Sequence, residues 1–300
     1  MMKQLLFLVC GLFAGSLFAQ YPVVTIQQIQ TVSQMDLTNC QDTASYFGDT
    51  IITHGVVIMD GGLSQNENGN NIWIQSGNGP FSGIDIYGDD AVVPIPVPGT
   101  SILDLVAGDS IEITAIVTEF QHESELYPLD IQVLDFGKAV VASPVDVGDL
   151  NDDMRVNQLE SGEEWEGSYV EIYNVVAQEP DFFSGGNRVS FNVADQAGNL
   201  INISDRFLVQ RLPVNGGTFV PFAAGTVFDT LKGVIAHSAN GAACAANGRG
   251  YEMYPFSMDD YVVQAGASPP QIGNITRNPT VPTSMPVSYT HLTLPTSYPV

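Results

Sequence analysis

The chain has 300 residues, 44% hydrophobic and 14% charged, with 9 Lys and Arg against 33 Asp and Glu, for a formal net charge of −24. That length allows about two domains, and the apolar fraction excludes wholesale disorder. So few cations exclude a general phosphate-tracking surface and attraction to anionic membranes. The acidity favours solubility and attracts divalent cations without naming one.

Residues 1–19 carry Lys3, an apolar run over residues 5–13 and small residues ending at Ala19. The run is shorter than the roughly 20 residues that span a bilayer, so the pattern predicts a secretory signal peptide. The mature protein is then secreted or held at the cell surface, with no later segment apolar enough to span. Two cysteines remain, Cys40 and Cys244. A disulfide between them and two unpaired residues both stand open. No zinc ligand spacing occurs.

Residues 20–47 read as a lead-in segment. Residues 48–137 then show five strand-like runs: 50–59, 71–75, 83–87, 109–120 and 126–133. Pro94, Pro96 and Pro98 exclude a helix between the third and fourth runs, and one helical turn is expected over 102–106. Residues 138–165 read as a connector. A second set follows within 166–263: runs 169–177, 188–193, 200–203, 227–237 and 251–256. No amphipathic helix longer than about two turns is predicted.

The two sets repeat. Ala107-Gly108 opens the fourth run of the first set, and Ala224-Gly225 opens that of the second. Glu125-Leu-Tyr-Pro-Leu129 is matched by Glu252-Met-Tyr-Pro-Phe256. Five short strands with a break after the third predict an all-β chain of two OB-like five-stranded barrels, with a jelly roll or other sandwich as the alternative. Residues 264–286 read as a linker and the start of an immunoglobulin-like sandwich. Residues 287–296, Val-Ser-Tyr-Thr-His-Leu-Thr-Leu-Pro-Thr, resemble a translated sequencing-library adapter. Residues 287–300 are therefore set aside as an artefact, which implies a longer natural protein.

Ile26-Gln-Gln-Ile-Gln30 followed by Tyr46-Phe-Gly-Asp-Thr-Ile-Ile-Thr-His-Gly-Val-Val57 resembles the opening of OB-like domains in secreted bacterial proteins. Glu166-Gly-Ser-Tyr-Val170 resembles the opening of a second such domain, and Asp149-Leu-Asn151 the segment before it. The resemblance covers about residues 23–263. It implies an extracellular protein of the type IX secretion kind, in which such domains precede nuclease or immunoglobulin-like domains. It implies no catalytic residue, because sites are grafted onto folds.

No catalytic constellation occurs, and His54, His122 and His237 read as ordinary strand or turn residues. The chain is expected not to be an enzyme and to need no cofactor. Asp149, Asn151, Asp153 and Glu160 have the spacing of calcium-loop positions 1, 3, 5 and 12, but Met154 stands where the sharp turn needs Gly. Asp85, Asp89 and Asp90 read as a solvated acidic turn. OB barrels bind on strands 2 and 3, which makes Trp73, Phe81 and Tyr87 candidate stacking residues. Strand parity leaves Trp73 either outward or in the core. Arg188, Arg206, Arg211, Lys232 and Arg249 concentrate cations in the second barrel. The expected role is binding, adhesion or spacing on a glycan or protein ligand. The alternative is an accessory region guiding nucleic acid, through the second barrel, to a nuclease domain.

Overall fold

Strands form where β-branched residues alternate with polar ones. Over Ser110–Phe120 the side chains of Ile111, Ile113, Ala115 and Val117 are buried and the residues between them are half-exposed, as a pleated chain with one inward face requires. The structure, a computed structural model, describes residues 21–64, 70–88, 101–238, 243–244 and 250–265. The signal peptide, Asp89, Asp90, the proline stretch, Arg249, the adapter-like tail and the immunoglobulin-like start beyond residue 265 lie outside the described residues.

The first set comprises β1 (Thr50–Val57), β2 (Asn70–Gln75), β3 (Gly83–Gly88), β4 (Ser110–Phe120) and β5 (Glu123–Asp135). They close into a barrel in the order β1-β2-β3-β5-β4. The short β6 (Ser143–Pro144) precedes the second set: β7 (Tyr169–Ala177), β8 (Asp181–Phe183), β9 (Arg188–Ala194), β10 (Leu200–Ile203), β11 (Val227–Ser238), β12 (Gly250–Tyr254) and β13 (Tyr261–Val263). Here β7 pairs β9, then β10, β12 and β11, and β11 returns to β7. The two closed orders are the same. In both, the third and fifth strands form the single parallel pair of the barrel, placing Asp85 opposite Glu125 and Asn202 opposite Glu252. The repeated Glu-x-Tyr-Pro is thus an equivalent position in each barrel, as the five-stranded OB-type Greek key requires.

The helices are short: α1 (Ile26–Gln30), α2 (Gln34–Thr38), α3 (Val147–Leu150) and α4 (Leu159–Gly162). Thr25 caps α1 in a capping box with Gln28, which satisfies donors that so short a helix leaves open. Among the described residues no helix is long and apolar enough to cross a membrane.

The lead-in segment is structural. Ile26 and Ile29 join the first core and Leu37 the second. Gln30 Nε2 donates to the Gly83 carbonyl at 2.9 Å and to the Glu166 carbonyl at 3.2 Å, so one side chain serves both barrels. The barrels are packed together: Phe207, Val234, Ala236 and Tyr254 of the second join one continuous buried cluster with the first, against the outer side of its wall. The backbones meet at Gly83, where an added Cβ would overlap the Gly167 carbonyl. Gly83→Ala is therefore expected to cost about 1–3 kcal/mol or more, because neither wall of the contact is a movable side chain. A urea titration of the variant checks this; an unchanged midpoint would place the seam elsewhere.

Candidate functional site

The β2–β3 face of the first barrel is covered. Ile72 and Ile74 point into the barrel, so Trp73 points outward, yet it is fully buried. Its ring stands edge-on to Phe207 at 5.6 Å and to Tyr254 at 6.1 Å. Strand parity alone allows either side; the structure turns Trp73 out of its own barrel, and the second barrel buries it. Phe81 is half-buried, and its N–H donates to the Glu164 carbonyl at 2.5 Å. Tyr87 is half-buried at the end of β3. Asp85 sits opposite Trp73 in the ladder and is fully buried, which corrects the expected solvated turn.

The equivalent face of the second barrel is open. Because Asn202 is the counterpart of Asp85, and Asn192 pairs with Asn202, Asn192 is the counterpart of Trp73. Polar residues thus stand where the first barrel has seam residues. A cavity of about 210 Å³ lies here, lined by Arg155, Asp181, Phe183, Asn192 and Asn202 among others. Asn192 Oδ1 accepts from Arg155 Nη1 at 3.1 Å and from Asn202 Nδ2 at 3.0 Å. Asn202 Oδ1 is buried without a hydrogen-bond partner, an uncommon state for a buried polar atom.

Most of the predicted cations are committed. Arg188 binds Asp205 through Nε at 2.8 Å and Nη2 at 2.7 Å and lies 5.2 Å over Phe183. Lys232 is 3.7 Å from Glu171. Arg206 donates to Asn71 in the seam beside Asp85 and Glu125. Arg211 is exposed. Burial and the neighbouring Glu125 push Asp85 well up, against the pull of Arg206. Burial lifts Glu125 to about 7, again opposed by Arg206.

The calcium-loop carboxylates do not converge. Asn151 is turned inward, its Oδ1 accepting from Tyr251 N at 3.0 Å and its Nδ2 donating to Tyr251 O at 2.8 Å. Glu160 accepts from Gln34 of α2 at 2.6 Å. Asp149 and Asp153 are exposed.

Two histidines read as ordinary are brought together. His122 Nδ1 is 3.0 Å from Asp42 Oδ1, and His237 Nδ1 is 3.3 Å from Asp42 Oδ2. Their ring centroids are 5.8 Å apart. Glu163, Glu166 and Glu119 surround them. Burial pushes Asp42 up, but hydrogen bonds with both histidines outweigh it and hold the carboxyl below its usual range. Burial raises Glu163 and Glu166 well above theirs, with neighbouring carboxylates adding to it. His54, by contrast, pairs on the surface with Glu112 at 2.8 Å. No local pattern marks Asp42, which lies in the lead-in segment. It is held there by a disulfide from Cys40 to Cys244, whose Cα atoms are 5.3 Å apart.

The fold is therefore that of an all-β protein of two closed five-stranded barrels fused along one seam. No family model and no curated protein matches the chain. Among solved structures it is similar to an OBody, AM1L10, bound to hen egg-white lysozyme, at 16% identity and TM-score 0.23 over 31% of this chain and 84% of that one. It is also similar to a putative aspartyl-tRNA synthetase from Leishmania major Friedlin, at 8% identity and TM-score 0.24 over 49% of this chain and 27% of that one. At such TM-scores neither likeness carries weight.

Proposed function

We propose that this chain is a non-catalytic extracellular binding region that takes a glycan on the outer face of β9 and β10. The observation that carries this reading is the asymmetry between equivalent faces. The first is closed by Trp73 and the seam, and the second presents Asn192, Asn202, Arg155, Asp181 and Phe183 around a cavity. Convergent amide and charged groups beside an aromatic suit a polyhydroxylated ligand, and this face is the one OB barrels use for oligosaccharides. The disulfide supports an oxidising compartment, in keeping with the expected signal peptide. The pairing of Arg188 and Lys232 with carboxylates favours a glycan over nucleic acid.

A glycan array probed with the purified chain tests this. Binding is expected on a subset of polysaccharides, and Asn192→Ala with Phe183→Ala should weaken it at least tenfold. Binding to no glycan, with salt-sensitive binding to single-stranded DNA instead, would overturn the reading in favour of the nuclease-accessory alternative.

A further inference from the structure

We propose that Asp42, His122 and Glu119 form a binding site for one divalent transition-metal ion, entered from the cavity beside Cys40. One ligand atom from each lies within 4.8 Å of the others. The 3.0 Å between His122 Nδ1 and Asp42 Oδ1 is the spacing of adjacent ligands on an octahedral ion at bond lengths of about 2.1 Å and a little under the ~3.4 Å of a tetrahedral one. The cavity, about 360 Å³, is lined by Asp36, Cys40, Gln41, Asp42, Thr43 and His122. It supplies an entry path and room for water in the remaining positions, both of which a metal site requires.

The buried layer behind the triad points the same way. Asp42 and His237 are 2% exposed, and Asp42 Oδ2 lies 3.3 Å from His237 Nδ1, both buried. Glu166 Oε2 and Glu119 Oε2 are buried and unbonded. Asn157 Nδ2 donates to Ala243 O at 2.6 Å and faces His237 Nε2 at 2.9 Å. This network makes Nε2 the acceptor and assigns the proton of neutral His237 to Nδ1. His237 therefore acts behind Asp42 as a donor, and the ion takes the His122 side. Such a concentration of buried oxygen with few donors is satisfied by a cation. One imidazole with two carboxylates suits zinc or manganese better than calcium, which prefers oxygen alone.

The test is calorimetric titration of the tag-free full chain, stripped with chelator, with zinc, manganese and calcium chlorides in turn. We expect one zinc or manganese ion per chain at micromolar affinity or tighter, and calcium at least tenfold weaker. Cobalt should give a visible absorption band of a nitrogen-ligated ion. Asp42→Asn should lower affinity at least a hundredfold, and Glu119→Gln and His122→Asn about tenfold or more each. Should Asp42→Asn fail to fold, the latter two carry the test, since Glu119 and His122 are only partly buried and Asn tolerates the positive φ of His122. No binding of zinc or manganese, or binding that survives both Glu119→Gln and His122→Asn, overturns the proposal.

Discussion

Exchanging Cys40 and Cys244 together for serine is expected to lower the unfolding free energy by about 3–5 kcal/mol. The bridge joins residues 204 apart in sequence, and restricting so long a loop in the unfolded chain removes much of its freedom. It also fixes the segment between α2 and β1 that carries Asp42 against the second barrel. Differential scanning calorimetry of the double variant checks the size. A reductant should bring the parent chain to the same melting temperature and leave the variant unmoved. Equal melting temperatures for parent and variant, without reductant, would show that the bridge contributes nothing.

The second large effect is on pH. Glu125 is raised in the folded state from 4.5 to about 7, equivalent to about 3 kcal/mol. Asp85 is raised beside it, and Glu163 and Glu166 are raised at the other cluster. A carboxyl raised by folding keeps its proton in the native state while the unfolded chain loses it. Its contribution to stability is full below the unfolded value near 4 and is lost as pH rises through the folded value. Asp42, held low, and His237, lowered chiefly by burial, act oppositely and weaken the fold as pH falls. Stability should therefore peak at about pH 5 and fall towards pH 8. Glu125→Gln removes one titrating group from the seam and should flatten that fall by up to about 1.4 kcal/mol per pH unit between 5 and 7. Denaturant midpoints across pH 4–8 decide the matter; a parent chain more stable at pH 8 than at pH 5 refutes it.

The strands were legible because their signal is local. Thr50–Val57 and Ser110–Phe120 announce themselves by β-branched alternation, and the repeated Glu-x-Tyr-Pro marks equivalent positions. What closes the β2–β3 face was not legible, since Trp73 is covered by Phe207 and Tyr254, far along the chain. The start of β5 at Glu123 was also missed. Gln121 and His122 make a two-residue turn at φ 54° and 75°, and neither is the Gly or Asn that usually signals one. That turn delivers His122 to Asp42, so the sequence hid both the turn and the cluster built on it.

The seam joins unlike surfaces. The first barrel offers the outer face of its second and third strands; the second offers its fourth and fifth, through Val234, Ala236 and Tyr254. Such a contact is heterologous, and nothing in it is self-complementary. A two-fold pairing would have used the equivalent face of both barrels at once. This head-to-tail docking uses one and leaves its twin at the free end. By the same rule a further barrel could dock there without altering the first contact. The arrangement is that of an open series, in which every added unit would cover one such face and present another.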